Sequence, residues 1–380
     1  MRITPPKISS STAAGPADKQ SLCIDILTSG FVQSFVDFFY LTHRPEGKGG
    51  EGGSESHPTI PPGKLTFVKS HLAEAEAARR QGDTKAVFAS YQGLADFFTE
   101  LADQRTAVYF WEKCLEIAKL TTDAEGEAKA TRALGVAHEA LGDRAAALGY
   151  YEKLLRIVQA ADDADGVKTA NEHLVVAYRA MAKELEGGGA DAEQALGVYE
   201  KRLAAAVAAG DAAKQGIAHF ELGKAHEATG EAEQVKKAGE HYTKYLDLCA
   251  TLEDVDGQGA ACSALAHAHA RLDDSATSLA HLQKFLSLAQ ASGKLQGQAE
   301  ACCSLGVLYQ QQGDFANAVH HLERFFEIAR SIGDRARVDK AGVYLGIALG
   351  NSMLPKYLDV VTHDLDALLR WKTRRVAFAS

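Results

Sequence analysis

The strongest constraint on this 380-residue chain is a step of about 40 residues. A leucine followed by glycine, or by a residue standing in for it, recurs at Leu94-Ala95, Leu134-Gly135, Leu174-Val175, Leu222-Gly223, Leu265-Ala266, Leu305-Gly306 and Leu345-Gly346. Successive second members lie 40, 40, 48, 43, 40 and 40 residues apart. Four equal steps out of six exclude coincidence in an alanine-rich chain, and a generic helical bundle has no reason to keep them. A period of this length marks a stacked array, in which each unit buries its apolar face against its neighbours.

The clearest unit reads Leu305-Gly306-Val307-Leu308-Tyr309, then a turn at Gly313-Asp314, then Phe315-Ala316-Asn317-Ala318. A small residue at the glycine slot lets the first helix of a unit, helix A, approach the second, helix B. Three residues on, on the same helical face, stand Phe98, His138, Tyr178, His226, His269, Tyr309 and Leu349. Gly142, Gly230 and Gly313 come seven residues after the slot and are helix-stop signals. Helix B repeats an apolar stripe, as in Tyr151, Leu154, Leu155 and Val158, and again in Leu322, Phe325, Phe326 and Ile328. The pattern resembles the tetratricopeptide repeat. That resemblance implies an all-α, right-handed superhelical solenoid of about seven helix-turn-helix units, with helix A lining the concave side.

Outside the repeats, residues 1–17 are rich in Pro, Ser, Thr and Ala and read as disordered. Residues 18–43 form an amphipathic helical segment broken at Gly30, with Phe31, Phe35, Phe38 and Phe39 at helical spacing. This aromatic stripe either caps the first repeat or docks a partner. A Gly/Pro-rich linker spans 44–63, the solenoid with its C-terminal capping helix 64–375, and a tail 376–380. Insertions at Glu186–Gly189 and around Glu231–Lys237 account for the long steps and are expected to bulge as rim loops. In the seventh unit Asn351-Ser352 replaces the Gly-Asp turn, and Pro355 is expected to open its second helix.

The chemistry of catalysis is not evident. No HExxH, CxxC, GxSxG or phosphate-loop pattern occurs. His267 and His269, two apart on a helix, diverge, and so do the adjacent His320 and His321. His138, His226 and His269 read as imidazoles filling aromatic slots. We therefore expect no enzyme, no cofactor, no metal site and no small-molecule substrate. A net charge of −9 and a pI near 5.9 argue against nucleic acid as partner. The six cysteines sit on helical patterns and read as buried reduced thiols, as expected of a cytoplasmic protein. Neither a signal peptide nor a membrane span is expected; Leu22–Leu41 carries Asp25, Gly30 and Asp37.

What remains is a surface. Helix A residues around the small slot face the groove in peptide-binding tetratricopeptide-repeat proteins. Here they are Lys129, Arg132, Glu139, Glu172, Arg179, Glu221, Lys224, Glu227, His267 and Arg271. Their signs are mixed. With Phe31 and Phe35 they form the expected protein-binding set. Two further stretches, Ser21-Leu22-Cys23-Ile24-Asp25-Ile26-Leu27 with Gly30–Val36, and Leu368-Leu369-Arg370-Trp371-Lys372, are similar to the tetratricopeptide repeat protein 29 family. The resemblance implies a component of the cilium or flagellum: a non-catalytic cytoskeletal scaffold of the motile axoneme. It would bind dynein-associated or neighbouring microtubule-bound proteins and support ciliary movement. A peptide-binding adaptor of the spindle-orientation or cargo type is the alternative, since the 40-residue unit also resembles the long-repeat group containing such adaptors.

Overall fold

The computed structural model describes residues 18–44, 58–187 and 192–374. The expectations for 1–17, for 45–57 of the linker and for 375–380 fall outside them. Among the described residues there are seventeen α-helices and no strand. They are α1 (Lys19–Thr28), α2 (Val32–Thr42), α3 (Leu65–Gln81), α4 (Thr84–Glu100), α5 (Gln104–Leu120), α6 (Ala124–Ala140), α7 (Arg144–Ala160) and α8 (Ala164–Gly187). Next come α9 (Ala192–Ala209), α10 (Ala212–Ala228), α11 (Ala232–Thr251), α12 (Val255–Arg271), α13 (Ser275–Ala291), α14 (Leu295–Gln311), α15 (Phe315–Ile332), α16 (Arg335–His363) and α17 (Leu365–Arg374). The chain divides into two compact units, Met1–Met181 and Ala182–Ser380.

An aspartate sets where most helices start. In the first unit Asp83, Asp103, Asp123, Asp143 and Asp163 recur every 20 residues, and each accepts a hydrogen bond from the backbone N–H three residues on, at 2.9–3.2 Å. Asp254, Asp274, Asp314 and Asp334 do the same in the second unit, at 3.0–3.1 Å. A side-chain oxygen at this position satisfies one of the N–H groups that a helix start leaves without a partner. Just before the cap, the chain turns through the left-handed region at Gly82, Gly142, Gly313 and Gly333, but also at Ala102, Thr122, Asp162, Glu253 and Asp273. The structural period is therefore half the sequence repeat: a 17-residue helix and a three-residue turn, over and over.

The slots perform the work expected of them. Leu94, Leu134, Leu174, Leu222, Leu265 and Leu305 are all buried. A Cβ at Gly135 would sit 2.5 Å from Tyr151 Cε1, one at Gly223 2.6 Å from Tyr242 Cε1, and one at Gly306 2.5 Å from Leu322 Cγ. Only glycine admits helix B so closely there. At the slot three residues on, helix A meets helix B ring to ring. Phe98 stacks on Phe110 at 5.8 Å and His138 on Tyr150 at 5.2 Å. In the second unit His226 stacks on His241 at 5.5 Å, His269 on His281 at 5.7 Å and Tyr309 on His321 at 5.5 Å.

Two expectations are corrected. Of the insertion at Glu186–Gly189, Glu186 and Gly187 continue α8, and the rest of that expectation falls outside the described residues. The insertion at Glu231–Lys237 does not bulge as a rim loop but makes α11 a 20-residue helix. Its Ala, Glu and Lys residues favour helix over loop. In the seventh unit the turn is absent. Helix α16 runs through Asn351, Ser352 and Pro355 without a break. Where other units place glycine and aspartate, this one has Met353 and Leu354. Without a residue at ease in the left-handed region and without a cap, the helix continues despite the proline.

Residues 18–44 pack on α3 within the first unit. Ile26 and Phe38 are fully buried, with Phe31 and Phe35 partly buried against the same core. Ser34 donates its backbone N–H and its hydroxyl to Glu76, both at 2.8 Å, and Arg80 Nη2 donates to the Gly30 carbonyl at 2.6 Å.

Candidate protein-binding surface

In the first unit a cleft of about 280 Å³ lies between α4 and α6, lined by Gln92, Asp96 and Thr99 on one side and Lys129, Arg132 and Val136 on the other, with Trp111 also in its wall. In the second unit a cleft of about 250 Å³ occupies the corresponding position along α12, α14 and α16, lined by His267, Cys303, Ser304, Val307, Lys340 and Tyr344 among others. Measured from the small slot, the same positions recur: one and four residues after it on one helix A, and two or three before it on the next.

The expected residues divide into two sets. Lys129 and Arg132 come together in the first cleft and are exposed; Arg179 is exposed and Glu172 half-buried on α8. Lys224 is exposed, its ammonium 4.4 Å from the Phe220 ring centre, and His267 is exposed in the second cleft. The others hold the fold itself. Glu139 accepts the Tyr151 hydroxyl at 2.9 Å, and Glu227 the Tyr242 hydroxyl at 2.8 Å. Glu227 also faces Arg271 at 3.6 Å, while Arg271 donates to the Glu227 carbonyl at 2.8 Å. Glu221 pairs with Arg202, whose side chain is 3% exposed. Burial, reinforced by the carboxylate acceptors, pushes the Tyr151 and Tyr242 hydroxyls well above the usual tyrosine range. Phe31 and Phe35 are committed to the core of the first unit, so the apolar surface of α2 that remains accessible is its other side, Val32, Val36, Phe39 and Tyr40.

The groove also has an apolar part that its polar residues do not announce. One residue past the small slot stand Val136, 44% exposed, and Val176, 51% exposed. A search for polar residues passes over them; the signal was an apolar side chain at a position the repeat frame turns to solvent.

The histidines form one cluster that was not foreseen. His219 Nδ1 lies 2.9 Å from His241 Nδ1, and His226 also stacks on His241. Burial, then the neighbouring imidazoles and Lys244, hold His241 down to about 4. Burial likewise lowers His219, His281 and His321. Among the described residues no three His, Cys, Asp or Glu side chains are placed to hold a metal ion. The cysteines are free thiols, mostly buried, and burial pushes Cys114 up to about 12. None of the described helices is long and apolar enough to cross a membrane.

Helix pairs with this slot chemistry and these recurring clefts define a tetratricopeptide-repeat solenoid, a class of protein-interaction scaffold. Residues 130–165 and 299–332 match the tetratricopeptide repeat family. The chain is similar to tetratricopeptide repeat protein 29 of Trypanosoma brucei brucei, 34% identical over 118 residues, which covers 31% of this chain and 24% of that protein. It is similar to the Mus musculus protein of the same name, 31% identical over 129 residues, covering 32% and 27%. The matched stretch thus spans about a quarter of the length of these curated relatives. Among solved structures, the C-terminal part of a TPR repeat-containing protein from Cytophaga hutchinsonii is 15% identical, with 70% of this chain and 97% of that one covered and a TM-score of 0.45. A signal transduction ATPase with a tetratricopeptide repeat sensor, from Pyrococcus horikoshii, is 14% identical, with 92% and 50% covered and a TM-score of 0.44.

Proposed function

We propose that this chain is a non-catalytic scaffold of the motile ciliary or flagellar axoneme, binding dynein-associated or neighbouring microtubule-bound proteins. The observation that carries the proposal is the similarity to tetratricopeptide repeat protein 29 over about a third of the chain. The axonemal role comes with that family resemblance. The contact surfaces we assign are the helix A faces of the two units. In the first they comprise Lys129, Arg132 and Arg179 with Val136 and Val176, and in the second Lys224 and His267. With Asp96 in the first cleft and half-buried Glu172 on α8, they mix both charge signs with small apolar groups, which suits a structured or mixed-charge partner segment better than an acidic tail. Burial of the apolar members supplies affinity, and the cations fix register and orientation.

The test is extraction. A tagged copy expressed in flagellated cells is expected to stay with demembranated axonemes and to leave only at high salt. If it washes out with the detergent-soluble fraction, the axonemal role is wrong and the peptide-adaptor alternative takes its place.

A further inference from the structure

Among the described residues helix α16 is the last of the repeat helices, and the side turned away from α15 carries an apolar seam. Val343, Ile347, Leu354, Leu358 and Val361 are 60%, 46%, 49%, 53% and 41% exposed. Gly350 completes the series, with open space around it. Their steps of four, three, four, four and three residues average one helical turn, so the seam runs straight along about 27 Å of helix. The terminal unit of a solenoid ordinarily presents a polar outer face, because no neighbour covers it. Here α16 presents an apolar seam instead, with α17 packed on the same helix through Tyr357 and Trp371.

We propose that the seam pairs with the same seam of a second copy of this chain, the two α16 helices antiparallel about a two-fold axis near Ser352. Two observations select that partner. First, the seam complements itself in this orientation. Val343 falls opposite Val361, Ile347 opposite Leu358, and Gly350 opposite Leu354, each twice. A glycine receiving a large apolar side chain is the pairing that Gly306 and Leu322 already make within a hairpin. Second, the ends of the seam differ in charge. Exposed Asp339 and Lys340, the lysine also reaching the second cleft, stand at one end, and exposed Asp364 and Asp366 stand at the other. Antiparallel pairing sets Lys340 of each copy beside the acidic end of the other; parallel pairing would set like charges together.

Light scattering on the full chain, coupled to size exclusion, tests this. Wild type is expected at twice the 40.6 kDa chain mass. Leu354→Glu and Leu358→Glu, both on exposed positions, should weaken dimerisation by about a hundredfold or more with helicity unchanged. Lys340→Glu should weaken it by about tenfold, and adding Asp366→Lys should restore it. A monomer at tens of micromolar overturns the proposal, including the case where another protein's helix takes the seam. So does a dimer indifferent to Leu354→Glu, and a Lys340→Glu loss that Asp366→Lys fails to restore.

Discussion

Glycine at the small slot and glycine at the turn have different physical duties, and substitutions separate them. At Gly306 the obstacle is Leu322, whose branching carbon cannot swing away. Gly306→Leu is expected to cost about 1–3 kcal/mol by overpacking. Gly346 holds the same place in the sequence repeat but has nothing within 4 Å, so Gly346→Leu should leave the thermal melt unchanged or slightly raised. Equal losses at both sites would mean the register is wrong. At the turns the issue is backbone. Thr122 sits at φ 53°, in the left-handed region, where its branched Cβ is unfavourable. Thr122→Gly is expected to stabilise the protein by about 1 kcal/mol, less whatever glycine adds to the entropy of the unfolded chain. Chemical denaturation of the two proteins side by side measures it.

At the scale of a hairpin, the stacked rings decide how the two helices respond to acid. The α4–α5 hairpin has Phe98 on Phe110, which cannot titrate. The α10–α11 hairpin has His226 and His219 around His241, and the folded protein holds His241 near 4, well below its ordinary 6.5. Between those two values the unfolded chain takes up a proton that the folded chain refuses, so stability is full above about pH 6.5 and falls as the pH drops toward 4. His241→Tyr copies the pairing of His138 with Tyr150 and should flatten the decline. A melting temperature that falls as steeply in the variant as in wild type, between about pH 7 and pH 5, would remove this cluster as the cause. The hairpin itself was legible in the sequence, because the Leu-Gly slot and the Gly-Asp turn are local signals. Its partner choices were not. Glu139 and Glu227 look like solvent-facing carboxylates until helix B supplies a tyrosine 12 or 15 residues away, and the longer of these distances reflects the extra residues in α11. Turns between repeats were also hidden, since Thr122 and Asp162 do not advertise a left-handed backbone. Helix α16 hid for the opposite reason: Asn351-Ser352 and Pro355 look like a break, yet the two residues that enforce one elsewhere are missing.

For the molecule as a whole, function rests on which helix A side chains the fold leaves available. Reversing Arg132 and Lys224 together to Glu should weaken partner binding by about 1–3 kcal/mol per buried contact, with melting unchanged. Glu227→Ala, by contrast, should lower the melting temperature, because it strands the Tyr242 hydroxyl and loosens Arg271. If the double reversal binds normally in a pull-down, the outer helices become the candidate surface. The aspartate caps give the array one further property. Each cap restarts the count of residues, as a bar line restarts a measure of music. Two long steps, 48 and 43 residues, therefore pass without shifting the phase of the later helices: Asp254, Asp274, Asp314 and Asp334 resume the 20-residue beat as though nothing had been added. A chain punctuated this way can lengthen one helix in evolution while its downstream binding positions stay in register, so growth and recognition are free to change independently.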